Sequence, residues 1–225
     1  MYQYASIIGN SFFFVIWIFL FLKRKDLRKE MLLMSILVGF LGPLSEIWYM
    51  DYWRPEYTFS VLPAFEDYLF AFFIGGISAV IYGAFFGKKL VKSKGAPDWL
   101  IALLIIIVIS TLIFLNNFLK INSIYASFIS FLIVTAVIWW NRRDLIRNSI
   151  LSGLFLAAIS FIFYSVFLLF YPGVIEKWWL LNNISGVIIL GMPIEEPIWF
   201  FFWGMMCGPL YEFWLGYRLR GENKN

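Results

Sequence analysis

The sequence predicts an all-α polytopic membrane protein with seven transmembrane helices in a parallel 3+1+3 internal repeat, N-terminus outside and C-terminus in the cytoplasm. Three observations carry this prediction. The 225 residues are 62% hydrophobic and 14% charged, whereas a soluble domain runs ~45–50% apolar and ~25% charged. Apolar runs long enough to cross ~30 Å of hydrocarbon at ~1.5 Å per residue recur seven times and leave no stretch for a separate soluble core, so residues 1–225 read as a single membrane domain. Finally, the basic residues alternate from one loop to the next.

The seven stretches are Tyr4 to Leu22, Met31 to Met50, Pro63 to Phe86, Trp99 to Phe118, Ile121 to Trp140, Ser149 to Tyr171 and Pro193 to Gly216. Between the fourth and fifth stand only Asn116, Asn117 and the residues to Lys120, which leaves a broken or re-entrant element open there. Lys and Arg number five in Lys23 to Lys29, four in Lys88 to Lys94, three in Arg142 to Arg147 and three after the last stretch. The opposite side has Arg54, Lys120 and Lys177. Such a split, fifteen against three, obeys the positive-inside rule at every crossing and sets the orientation of the cell-membrane protein. The first stretch lacks a basic n-region and a small-residue cleavage site, so the expectation is a chain that begins at Met1 with no removed signal peptide.

Composition also excludes chemistry. With no histidine, there is no His-ligated metal, no Ser-His or Cys-His dyad and no His-held haem. The lone Cys207 cannot form an internal disulfide or a thiolate zinc site. The net charge of +4 resides in the inner loops without interleaved aromatics, so nucleic acid is not an expected partner and anionic membrane lipids are.

Within the chain, residues of about 1–90 and 121–217 read as two repeats joined by a linker helix at about 99–118. The first repeat has Asp51-Tyr52-Trp53, then Leu62-Pro63-Ala64-Phe65-Glu66-Asp67-Tyr68-Leu69-Phe70. The second has Glu176-Lys177-Trp178, then Met192-Pro193-Ile194-Glu195-Glu196-Pro197-Ile198-Trp199-Phe200. Each half thus presents acid-x-Trp, a loop, a proline and adjacent acids opening an aromatic helix; aligning the acid pairs superposes Gly75 on Gly204. Both halves run the same way, so the approximate axis is the membrane normal and the acid pairs can converge on one cavity.

A structural explanation competes: acids in a first helical turn are favoured by the helix dipole, and proline by the first helical position. Two features favour function. Pro197 follows Pro193 by four residues, which implies a kink or a helix start at Pro197. Glu46, after Gly42-Pro43 inside the second stretch, lies below the interface, where ionisable groups are usually functional. The small residues Gly75, Ala79, Gly83 and Gly87, and likewise Gly204 and Gly208, read as close helix packing. Glu212 in GPLYEFW echoes GPLSEIW around Glu46 but lies outside the repeat alignment, as a coincidence or packing motif.

Carboxylic acids in an apolar, aromatic, histidine-free pocket suit proton donation to an olefin. Aromatic faces stabilise the resulting cation, and a partner carboxylate removes a proton afterwards. Such chemistry is redox-neutral; no cofactor is expected and no Gly-rich dinucleotide fingerprint is found. No metal site is assigned, and a metal held by Glu66, Asp67, Glu195 and Glu196 stays open as an alternative.

The strings VLPAFEDYLFAFF and GMPIEEPIWFFFWG, each preceded by acid-x-Trp, resemble the two repeats of the small membrane-type lycopene cyclases, whose halves occur fused or as separate subunits. The resemblance covers roughly residues 42–86 and 160–216. It implies a carotenoid-cyclising intramolecular lyase or isomerase acting on a hydrophobic isoprenoid. It points to Glu195, Glu196, Glu66 and Asp67 as catalytic acids and, less directly, to Asp51 and Trp53; the acids and aromatics beside these motifs add Glu46, Phe70, Glu176, Trp178, Trp199 and Phe200 as expected substrate neighbours. The first copy departs in having two residues between proline and acids, the second in placing Pro197 directly after the pair. Homo- or hetero-oligomerisation stays open. Two alternatives also stand: a 3+1+3 transporter of small solutes, and a non-catalytic membrane protein of the lycopene cyclase domain type. The Pro-Gln dipeptide of SWEET-type sugar transporters is missing, as is a helix-7 lysine for retinal.

Overall fold

The computed structural model describes residues 2–58 and 65–221. Helix α1 (Ala5–Lys23) stops where the apolar run meets Lys23 and Arg24, and a short turn leads into α2 (Arg28–Gly39). The second apolar stretch is not one helix. Gly42–Leu44 forms a tighter turn before the four-residue α3 (Ser45–Trp48), because Pro43 has no N–H for the helical ladder. Gly42 also allows a close approach: a Cβ there would stand 2.3 Å from the carbonyl oxygen of Asp67. The end of the second stretch therefore lies directly on the first turn of α4 (Phe65–Phe85), where Glu66 and Asp67 sit. Pro63, expected to open that helix, falls outside the described residues.

After α4 come strand β1 (Lys88–Lys92) and helix α5 (Asp98–Ile113), which ends in a wider turn, Phe114–Phe118. The break before α6 (Ser123–Asn141) is thus a tight reversal, with Lys120 at φ 56° and the Asn122 side chain capping Ile124 N. Helix α7 (Ile146–Phe170), the short α8 (Val174–Trp178), the two-residue strands β2 (Ile188–Ile189) and β3 (Met192–Pro193), α9 (Glu195–Cys207), α10 (Leu210–Leu215) and β4 (Tyr217–Gly221) complete the chain.

The last apolar stretch departs from expectation in two ways. It is two helices, divided at Gly208 and Pro209, rather than one. Nor does it kink or start at Pro197: Pro193 belongs to β3, α9 opens at Glu195, and Pro197 occupies its first turn, where the missing N–H would have had no intrahelical partner anyway. Among the described residues six helical stretches are long and apolar enough to cross a membrane: Ala5–Lys23, Lys25–Trp48, Phe65–Phe85, Asp98–Phe118, Ser123–Asn141 and Arg143–Phe170. The chain is a helical membrane protein.

Helices α4 and α9 stand at the centre. Packing of α2 on α4 and of α7 on α9 is the most extensive, α1 and α6 flank them, and α5 leans on α6 at the periphery. Small residues permit these approaches: a Cβ on Gly75 would lie 2.6 Å from Val38, and one on Gly204 would lie 2.8 Å from the Gly153 Cα. Burial without tight fit would lose most dispersion gain, which in lipid is the main force holding helices together.

Several contacts occur twice. At the end carrying β1 and β4, Arg24 pairs with Asp26 at 2.7 Å and donates to the carbonyls of Gly83 and Lys88. Arg142 pairs with Asp144 at 2.8 Å and donates to those of Glu212 and Tyr217. Strands β1 and β4 pair antiparallel about Leu90 and Leu219. At the other end Arg54 N donates to Trp178 O at 2.7 Å and Leu180 N to Tyr52 O at 2.8 Å, around a bridge between Trp53 and Trp179.

Candidate active site

The first turns of α4 and α9 face one another across a cavity of about 900 Å³, its open mouth included. Glu66, Asp67 and Glu196 line it, and each is under a tenth exposed. Aromatic side chains supply most of the remaining wall. Phe13, Phe70 and Phe200 form the floor as a mutually packed triangle: Phe13 stacks on Phe200 at 6.0 Å, and Phe70 meets both edge-on at 5.3 and 6.2 Å. Phe70 and Phe200 lie one turn below the acids of their helices, so the floor is only ~5.4 Å deeper than the carboxyls. The paired segments around Trp53 and Trp179 form the roof.

Each acid is held by a different device. Glu196 accepts the Tyr52 hydroxyl at 2.6 Å and the Trp179 indole N–H at 2.7 Å on one oxygen, and Tyr164 is a further hydrogen-bonding neighbour. Asp67 accepts the Tyr57 hydroxyl at 2.8 Å, and Glu66 accepts Thr58 N at 2.7 Å. Burial first, then the Glu196 charge, pushes the Tyr52 phenol well above its ordinary range. Burial and Asp67 do the same to Tyr57. Both phenols therefore remain neutral donors to their carboxylates across physiological pH.

Of the expected site residues, Glu66, Asp67, Glu196, Trp53, Phe70, Trp178, Trp199 and Phe200 line the cavity. Glu195 does not: it turns to the other side of α9 and accepts Tyr125 OH at 2.8 Å and Ser185 N at 3.0 Å, fastening the loop before α9 to α6. Adjacent helical residues project ~100° apart, and the rotation of α9 puts Glu196 on the cavity side and Glu195 on the α6 side. Asp51 is also outside; it accepts Asn116 Nδ2 at 2.9 Å and Ser123 N at 3.1 Å, and takes the Ser123 hydroxyl, closing the start of α6. Glu176 is exposed on α8, and Glu46 sits on α3 away from the lining.

Sequence reasoning missed Asn10, Tyr49, Tyr52, Tyr164 and Trp179. The Asn10 side chain donates to Glu66 O at 2.9 Å, and Trp199 donates to Tyr49 OH at 3.0 Å. A lone Asn in the apolar first stretch was the one available signal for Asn10; the tyrosines and Trp179 were indistinguishable from ordinary interfacial aromatics. Two further acids, Glu30 and Glu212, are buried toward the opposite end of the helices, where Asn148 donates to Glu212 at 2.8 Å. Among the described residues His, Cys, Asp and Glu form no group of three able to hold a metal ion.

A polytopic helical protein with carboxyls and aromatic faces around an apolar cavity is suited to proton-driven chemistry on a hydrophobic molecule. The lycopene cyclase family model matches residues 122–214, from the cap of α6 into α10, so this part of the chain is similar to a lycopene cyclase domain. No curated protein and no solved structure gives a significant match.

Proposed function

We propose that the protein is a seven-span membrane cyclase that closes the end group of a linear, lycopene-like polyene into a ring without net redox change. The observation carrying this reading is that Glu66 and Asp67 from α4 and Glu196 from the cyclase domain line one aromatic cavity. A carboxylic acid adds its proton to the terminal C=C bond, forming a C–H bond and a tertiary cation. The electron pair of a second C=C bond closes the ring by forming a C–C bond. A carboxylate then takes a proton from the carbon beside the new cation, restoring a double bond and giving an isomer of the substrate.

Glu66 and Asp67, adjacent in the first turn of α4 and both in the cavity wall, are assigned the donation of the initiating proton. Glu196 receives Tyr52 and Trp179 on one oxygen, which fixes its carboxyl in the cavity wall, and it is assigned the removal of the final proton. Trp199, Phe70 and Phe200 offer faces to the cation, an interaction worth about 2 kcal/mol or more when desolvated. The residues supply the whole reaction, with no cofactor.

The seventh span comprises α9 and α10 together. The duplicated Arg24 and Arg142 contacts, the β1–β4 pairing about its centre and the reciprocal bonds around Trp53 and Trp179 support a parallel 3+1+3 duplication about the membrane normal, with α5 as linker. The charge alternation supports an outer active site and a cytoplasmic C-terminus in the cell membrane. The test is coexpression in a lycopene-accumulating bacterium with chromatographic identification of the pigments. Ring-closed carotenoid is expected; unchanged lycopene beside well-expressed protein counts against the reading.

A further inference from the structure

The cavity is too shallow for a long linear substrate. Its floor of Phe13, Phe70 and Phe200 lies one helical turn below the acids, so an end group fits and the rest of an extended chain must leave through a wall.

The walls differ in how they are held. On the α6 side, Tyr49 is hydrogen-bonded to Ser127 at 2.7 Å and receives Trp199 at 3.0 Å, while Asp51 bonds the start of α6. Overhead, the bridge at Trp53 and Trp179 is flanked by two backbone hydrogen bonds, and Ser6 donates to Glu56 O at 3.1 Å. On the α1–α7 side the Tyr2 hydroxyl reaches Pro172 O at 2.6 Å at the outermost end. Below it, Phe163 meets Phe12 and Phe13 at ring distances of 5.5 and 4.8 Å. A Cβ on Gly9 would stand 3.4 Å from the Phe163 ring. Gly9 and Phe163 both line the cavity, and their helices carry the exposed apolar residues Ile8, Phe14, Ile162 and Val166 on the outside. Two stacked rings, Phe163 and Phe167, packed on Gly9 at 3.4 and 3.5 Å from its Cβ position therefore stand between the acids and the apolar exterior; Phe163, the less buried of the two, moves by side-chain rotation without breaking a hydrogen bond.

We propose that the α1–α7 seam is a lateral portal: Phe163 swings away from Gly9 to admit the end group from the lipid, and the apolar tail of the polyene stays in the seam during reaction. This inference rests on the polyene reading above. Glycine at position 9 leaves room for the ring to move and for a chain to pass; a larger side chain pins the ring.

The test places a photo-crosslinking benzoylphenylalanine at Phe163, or at Phe128 on the α6 side as the comparison, in full-length Glu196→Gln protein in lycopene-containing membranes. Capture of lycopene at position 163 and not at 128 is expected. In coexpression, Gly9→Leu should reduce ring-closed product at least tenfold at unchanged protein level. Capture at 128 alone, or at neither position while the wild type cyclises lycopene, overturns the portal. Absence of cyclised product from the wild type overturns the cyclase reading and the portal with it.

Discussion

Arg24 and Arg142 perform the same task at two places in the chain. Each forks onto an aspartate two residues on, and each donates to carbonyls of the central helical region and of the strand that follows it: Gly83 and Lys88 for Arg24, Glu212 and Tyr217 for Arg142. The guanidinium fork reaches several acceptors at once, which an ammonium cannot do in this geometry.

Replacing either arginine with alanine should therefore lower stability by ~2–3 kcal/mol, chiefly by stranding part-buried carbonyls, because the half-exposed ion pair itself is worth ~0–1 kcal/mol. Lysine should not rescue either position. Thermal unfolding of detergent-purified variants measures this, and wild-type stability in Arg142→Lys would refute the fork argument.

The two adjacent glutamates of α9 should separate in their phenotypes. Glu196→Gln is expected to cut cyclised carotenoid by roughly 100-fold, the loss typical of one general acid or base. Glu195→Gln retains the acceptor oxygen for Ser185 N and Tyr125 OH and should leave most activity. Pigment chromatography on cells of matched protein content gives the comparison; equal losses in both variants would show that the pair acts as a unit.

Gly204 and Gly153 make a backbone-to-backbone contact between α9 and α7. Gly204→Val should prevent folding, since its Cβ would meet the Gly153 Cα at 2.8 Å with no flexible side chain to yield. Size-exclusion chromatography should show aggregate or little protein, while Gly186→Ala, whose φ of 72° costs alanine ~1–2 kcal/mol but whose Cβ meets nothing within 4 Å, should remain monodisperse. A well-folded Gly204→Val protein would mean that the helices pack differently.

Orientation can be read by cysteine labelling in a Cys207→Ala background. Cysteines at Lys94 and Arg143 should resist impermeant reagents added to intact cells, and one at Asn182 should react; all three positions are exposed. Labelling of position 94 from outside would invert the topology.

Much of the architecture was legible in particular residues. The run from Ala5 to Lys23 reads as a helix because it carries apolar side chains all round and ends on paired charges. The pairs Glu66-Asp67 and Glu195-Glu196 stood out because acids that open aromatic helices are costly unless solvated or used. Local sequence, however, held no record of the turn at Gly208 and Pro209, since Gly-Pro both breaks and begins helices.

Hydrophobic run length, charge alternation and repeated strings determined that this chain makes apolar helices and sets acids at matching helix starts, because those properties act over one turn or one span. Tertiary structure decided which acids share a cavity. Tyr52 and Glu196, 144 residues apart, are joined by a hydrogen bond, while neighbouring Glu195 is turned away to Tyr125. A helix's rotation about its own axis is set by the close approach of its small residues to other helices, and that packing depends on residues far away in the chain.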